Sequence, residues 1–173
     1  MTLRGRPRAE TKRGRPSPST TYFEDRGTVL DAPLEVVWDF IEKDKEFHPK
    51  AHAASLRNVE VEEISDVTRL IRCEVRWGDR WRKMVTRFTS IRPAVRINEE
   101  IEGPYAGSKF VLLYSPRGRR TAVDVFCYMR SSELSPAEIR REVLSTFATA
   151  HREDLPYLRR FARKRPIHVV PRS

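Results

Sequence analysis

"SPAEIRREVLSTFATAHREDLPYLRRFARKR", residues 135–165, decides the fold. Ser135 reads as the N-cap, Pro136 takes the first helical position, and Glu138 follows three residues after the cap, so the backbone amides of the first turn find side-chain acceptors. Ile139, Val143, Phe147, Ala150 and Leu158 then continue a stripe along one side. The spacing predicts one long helix, expected to kink at Pro156, that needs a broad apolar partner.

That partner lies upstream. "LRNVEVEEI", "VTRLIRCEVRW", "RWRKMVTRFTSI", "VRINEEIEG", "KFVLLYS" and "RTAVDVFCYMR", between residues 56 and 130, read as strands separated by hairpin-length connections at Ser65-Asp66, Gly78-Asp79, Arg92-Pro93, "GPYAG" and "PRG". In the second of them Ile71, Cys73, Val75 and Trp77 share one face while Arg72, Glu74 and Arg76 take the other. Before these runs comes a further strand, expected over about residues 22–31 and stopped by Ala32-Pro33. "PLEVVWDFIEK" follows, with Leu34, Val37, Trp38 and Ile41 at helical spacing, Pro33 at the first helical position and Asp31 as its cap. "DKEFHPKAHAAS" reads as a short second helix or an irregular turn. The expected architecture is α+β, an antiparallel sheet of about seven strands wrapped around one long C-terminal helix. A single helix does not fill the hollow of a strongly curved sheet, so a cavity is expected between them.

That order resembles the START-like superfamily, also called SRPBCC or the polyketide cyclase/dehydrase and lipid-transport group, with its helix-grip fold. The likeness is carried by "APLEVVWDFI" and by "IEGPYAGSKFVLLYSPRGRRTAVDVFCYMR", and it spans roughly residues 22–163. It implies a hydrophobic pocket enclosed by the sheet and Ile139 to Leu158, which the superfamily uses for lipids, polyketides, hormones or quinones and sometimes for cyclisation or dehydration. A fold of this kind does not name one ligand. The expected function is therefore non-enzymatic binding of a small hydrophobic or amphipathic molecule. Two alternatives stand beside it: a cyclase/dehydratase-type enzyme on the same fold, and a nucleic-acid-associated protein anchored by its basic ends.

The candidate ligand-binding residues are Trp77, Trp81, Tyr105, Tyr114, Tyr128, Phe147 and His151, chosen as aromatic or near-neutral groups on the strands and the long helix. They form no recognisable catalytic constellation, and no catalytic residue is assigned. Asp124 is expected on the wet face of its strand. His48 and His52 are spaced i, i+4, but Pro49 interrupts any helix between them, so hydrogen-bonded or exposed histidines are expected rather than a metal site. Cys73 and Cys127 have no Cys-x-x-Cys spacing and are expected as buried free thiols. No cofactor and no metal is expected.

The charge is distributed unevenly. The 173 residues carry 34 basic and 24 acidic side chains, a net charge of +10. Residues 1–21 hold Arg4, Arg6, Arg8, Lys12, Arg13 and Arg15 against Glu10, and residues 159–173 hold six basic residues and no acidic one. The remaining chain is close to neutral. With Pro7, Pro16, Pro18 and no aliphatic periodicity, residues 1–21 are expected to be a disordered arm, residues 22–163 the domain, and residues 164–173 a basic tail. The arm contains Arg-Gly-Arg-Pro twice, at Arg4, Gly5, Arg6, Pro7 and at Arg13, Gly14, Arg15, Pro16. This tetrapeptide looks like the core of an AT-hook, in which glycine lets the backbone approach the minor-groove floor and the arginines meet its negative potential. The competing reading is chance in an arginine-rich chain, since 27 of the 34 basic residues are arginine. Expected partners are a small hydrophobic molecule and, through the basic termini, weakly bound nucleic acid. No stretch is apolar enough to span a membrane and no secretory signal is present, so a cytoplasmic protein is expected.

Overall fold

The structure is a computed structural model that describes residues 17–43, 50–77 and 80–164. Seven strands form one antiparallel sheet: β1 (Ser19–Leu30), β2 (Leu56–Glu63), β3 (Thr68–Trp77), β4 (Arg80–Ile91), β5 (Val95–Glu102), β6 (Lys109–Arg117) and β7 (Arg120–Ser131). The sheet order is β1-β7-β6-β5-β4-β3-β2, a six-strand meander whose last strand takes β1 on its free edge. Helices α1 (Leu34–Glu42) and α2 (Pro136–Lys164) accompany the sheet.

Strand β1 opens at Ser19, three residues before the expected start. Ser19, Thr20 and Thr21 already pair with Ser131, Arg130 and Met129, and β-branched threonines suit a ladder even without an apolar pattern. Pro33 occupies the N-cap of α1 rather than its first helical position, with ψ 154°, and no side chain caps that end. Asp31 is drawn instead to Arg120, 3.2 Å away. Both Arg-Gly-Arg-Pro copies, His48, the Gly78-Asp79 turn and the basic tail beyond Lys164 lie outside the described residues.

The cap of α2 forms as its sequence dictates. Ser135 Oγ accepts from the Glu138 amide at 3.4 Å, and Glu138 Oε2 accepts from the Ser135 amide at 2.8 Å, so two end amides are satisfied reciprocally. The helix runs on through Pro156. Ile139, Val143, Leu158 and Phe161 are buried, packed with Phe23, Val123, Val125, Cys127 and Met129 of β1 and β7 and with Val37, Trp38, Phe40 and Ile41 of α1. Strict alternation along β7 explains the match, since every second residue from Thr121 to Ser131 is buried and its neighbours are not. Edge-to-face contacts, Phe40 on Phe161 at 5.9 Å and Phe110 on Phe147 at 5.4 Å, tie both helices into this core. Among the described residues no helix is long and apolar enough to cross a membrane.

Candidate functional site

The sheet's two faces follow from its register. Phe110 pairs with Cys127 on one side and Asn98 on the other, Asn98 pairs with Phe88, and Phe88 with Arg69. The inner face, turned toward α2, therefore carries Val123, Val125 and Cys127, then Phe110, Leu112 and Tyr114, then Arg96, Asn98 and Glu100, then Thr86, Phe88 and Ser90, and then Arg69, Ile71 and Cys73. Helix α2 lies against β1, β7 and α1 and makes no approach of comparable extent to β3, β4 or β5 among the described residues. The inner face thus has an apolar half under the helix and a second half, on β3 to β5, of different composition.

Strand β5 is the reason for that difference. It turns Arg96, Asn98 and Glu100 inward and Val95 and Ile97 outward, the reverse of the polarity that burial alone would select. Glu100 is 8% exposed, a carboxyl group taken out of water with Thr86 Oγ1 donating to its Oε2 at 2.9 Å. Burial pushes its pKa up to about 7, against the smaller downward pull of that hydrogen bond. The Cys73 thiol is pushed up to about 11 by burial and by the Glu100 charge, so it is a protonated, unreactive neighbour. Two residues along β5, Asn98 Oδ1 is buried and accepts no hydrogen bond from the described residues. An acceptor in that condition costs about 1–3 kcal/mol unless something donates to it.

A cavity of about 160 Å³ opens at the end of this half-face, between the last turn of α1 (Ile41, Glu42), the β2–β3 turn (Asp66, Val67) and the inner residues Ile71, Phe88, Ser90 and Arg96. The Arg96 guanidinium stacks on the Phe88 ring at 4.5 Å and forms part of the wall. Arg92 closes the rim, ion-paired to Asp39 at 2.7 Å and to Glu42, which holds the Glu42 carboxyl below its ordinary range. A space of this size takes roughly one aromatic ring or the head of a longer molecule. Ile139, Val143 and Leu158, of the stripe expected to cover the pocket, are packed into the core, and this cavity lies beside α1.

The seven candidate ligand residues divide between the faces. Tyr105, Tyr114 and Phe147 are on the inner side, Tyr105 in the β5–β6 turn near Glu142 of α2 and Tyr114 against Trp38 at 5.5 Å. Phe147 meets Phe110, whose strand partner is Asn98 of the polar half. His151 is half-buried on α2. Trp81 and Tyr128 belong to the outer face and do not line the inner one, because each is one residue out of phase with the buried positions of its strand. Trp81 pairs with Arg76 and lies under the Arg57 guanidinium at 4.4 Å, and Tyr128 lies against Tyr22 at 4.9 Å. Trp77 pairs with Arg80, so the two tryptophans are not opposite one another, and the Trp77 side chain is outside the description. Asp124 is on the outer face, and Cys73 and Cys127 are buried and free, as expected.

His52 has a role that the sequence did not specify. Its Nδ1–H donates to Glu153 at 2.6 Å and its Nε2–H to Asp154 at 3.1 Å, and Ser55 Oγ donates to the same Glu153 oxygen at 3.0 Å. Burial pulls the imidazole pKa down, but hydrogen bonds and charge from Asp154 and Glu153 outweigh it and hold His52 at about 9. It is therefore a cation that fastens the segment before β2 to α2, and its two donors are both occupied. Of the residues that sequence reasoning missed at the inner face, Glu100, Thr86 and Asn98, the two on β5 carry an available signal: "VRINEEIEG" places its polar residues Arg96, Asn98 and Glu100 in step with the inward positions of its neighbours.

No protein-family model and no curated protein matches the chain. Solved structures do. The di-domain ARO/CYC protein BexL superposes with a TM-score of 0.65 at 18% identity, over 85% of this chain and 51% of that one, so the chain spans about half of BexL. The Zhui aromatase/cyclase from Streptomyces gives 0.63 at 17% identity, over 84% and 95% of the two chains. Norcoclaurine synthase from Thalictrum flavum gives 0.64 at 11% identity, over 91% and 95%. At these identities the likenesses show the fold: a seven-stranded antiparallel sheet with a long C-terminal helix, the helix-grip fold.

Proposed function

We propose that this protein binds a small amphipathic molecule, of the lipid, polyketide or quinone-like class, on the inner face of β3 to β5, with the cavity beside α1 as its entrance. The observation that carries this reading is the inverted polarity of β5. Turning the half-buried Arg96 and Asn98 and the buried Glu100 inward on a central strand costs stability, and a ligand that contributes ring or chain to Phe88, Phe110 and Ile71 and a hydroxyl or carbonyl to Asn98 and Glu100 offsets that cost. Norcoclaurine synthase, of the same fold, was solved with dopamine and hydroxybenzaldehyde, molecules that combine a ring with polar substituents. Titration with the fluorescent amphiphile anilinonaphthalene sulfonate tests it. Saturable binding is expected, competed by a hydroxylated aromatic and lost in Ser90→Trp, which fills the cavity. Undiminished binding to the filled variant would remove the inner face as the site.

A second reading, an enzyme of the cyclase or dehydratase type, is favoured by Glu100 alone. A carboxyl poised at about 7 exchanges a proton readily near neutral pH. On this reading a β-keto ligand is turned over by the parent and not by Glu100→Gln; no turnover by the parent would leave binding as the function.

A further inference from the structure

The register sets one short polar side chain between two rings. Asn98 on β5 pairs with Phe88 on β4 and with Phe110 on β6, so the three stand side by side across the inner face. Arg96 stacks on the Phe88 ring at 4.5 Å, and Phe147 of α2 meets the Phe110 ring edge-on at 5.4 Å, so each ring is held by a second contact. The Asn98 side chain is shorter than either ring, and the row has its low point there. Neighbouring strands lie about 4.8 Å apart, so a flat ring seated over Asn98 comes within the roughly 4.5–7 Å centroid separation at which aromatic pairs attract, on both sides at once.

The floor of that row lacks a partner. Asn98 Oδ1 is buried and accepts no hydrogen bond from the described residues, although Asn98 as a whole is only half-buried. Glu100, two residues along, has a donor in Thr86 Oγ1. Trp38 Nε1 is also without a hydrogen-bond partner among the described residues, but Trp38 is 1% exposed and closed within the apolar core. Asn98 therefore differs from both, being at once incomplete and open to the inner face. An amide oxygen only accepts, so the group that completes it must carry a proton. A hydroxyl serves there, and an ether or a ketone does not.

We propose that Asn98 is a specificity-determining residue of the inner face, selecting a flat aromatic molecule with a free hydroxyl, its ring between Phe88 and Phe110 and its hydroxyl donated to Asn98 Oδ1. The proposal rests on ligand binding at the inner face and narrows it: a phenol or hydroquinone is taken, and the corresponding ether or quinone is discriminated against. Displacement of anilinonaphthalene sulfonate from the full chain by a naphthol and by its methyl ether tests it. An acceptor left unpaired by the ether is worth about tenfold in affinity, so the parent is expected to bind the naphthol more tightly by that factor. In Asn98→Leu the preference is expected to disappear, through weaker binding of the naphthol. Leucine is close to asparagine in size, so discrimination by crowding alone survives in that variant while discrimination by the hydrogen bond does not. Circular dichroism checks the fold of the variant, and the comparison of the two ligands on the parent needs no substitution. Equal affinity of the parent for both ligands, or a preference that survives in Asn98→Leu, would overturn the role of Asn98 and leave binding at the inner face intact. Displacement by neither ligand would overturn the aromatic class itself, and no binding of the probe to the parent would overturn the inner-face reading together with it.

Discussion

The two halves of the inner face are made from the same sheet and do different work. Under α2, Met129, Cys127, Val125 and Val123 pack in one apolar core with Ile139 and Val143. On β3 to β5 the same face buries Thr86 and Glu100 beside Ile71 and Cys73, which stand outside the main core cluster. The first half accounts for stability. The second costs stability, a cost that the proposed ligand would offset. The contrast teaches where to look in a domain of this shape: where the covering helix has moved off, and the strands beneath it have kept polar groups inside.

The contrast predicts opposite outcomes for substitution. Trp38→Ala removes a fully buried ring packed on Tyr114 and is expected to cost about 3–5 kcal/mol in urea unfolding. Glu100→Gln is expected to be neutral or stabilising above neutral pH, because it replaces a buried acid by an amide of equal size. A loss as large as that of Trp38→Ala would erase the distinction between the halves.

The pH dependence sharpens it further. Glu100 has a folded pKa of about 7 against an ordinary 4.5, so the folded state binds the extra proton between those values. Stability is then expected to fall as pH rises from about 4.5 through 7, by a few kcal/mol in all (~3). The slope should vanish in Glu100→Gln, measured as Tm against pH. His52 acts in a higher window. Its folded pKa of about 9 lies above the ordinary 6.5, so its contribution is full below 6.5 and is lost as pH climbs through 9. His52→Asn should remove that alkaline decline and leave the Glu100 slope in place, which separates the two groups by pH alone. The smallest effect is expected from Ser135→Ala at the α2 cap, about 1 kcal/mol, and equal with or without ligand.

Much of the fold is legible in the sequence, because local and distant requirements agree there. The cap and stripe of α2, the alternation of β7 and the short connections of the meander each point to one arrangement. The site is less legible. A rule that sends apolar residues inward places Val95 and Ile97 in the core, whereas the register with Phe110 and Leu112 sends them out. The same parity puts Tyr128 and Trp81 on the outer face. Ring size and residue type suggested both as ligand contacts, but a strand's phase is set by its neighbours, and one residue's displacement exchanges the two sides. Glu100 and Asn98 escaped notice because a polar residue in a strand is most often wet. His52 was legible as a hydrogen-bonded histidine, but its partners lie 101 and 102 positions away and only the fold brings them together.

The pairing of β1 with β7 has a consequence for how the protein is made. Among the described residues the first strand to leave the ribosome bonds only to the last, and the helix that covers both is translated later still. For most of its synthesis the nascent chain therefore holds a hairpin meander with an unmet edge and a greasy underside. Closure comes as one late, long-range event, the kind that is slow and exposed to aggregation. A destabilised cap on α2 would be felt first in yield from the cell, before it is seen in the melting curve of the purified protein.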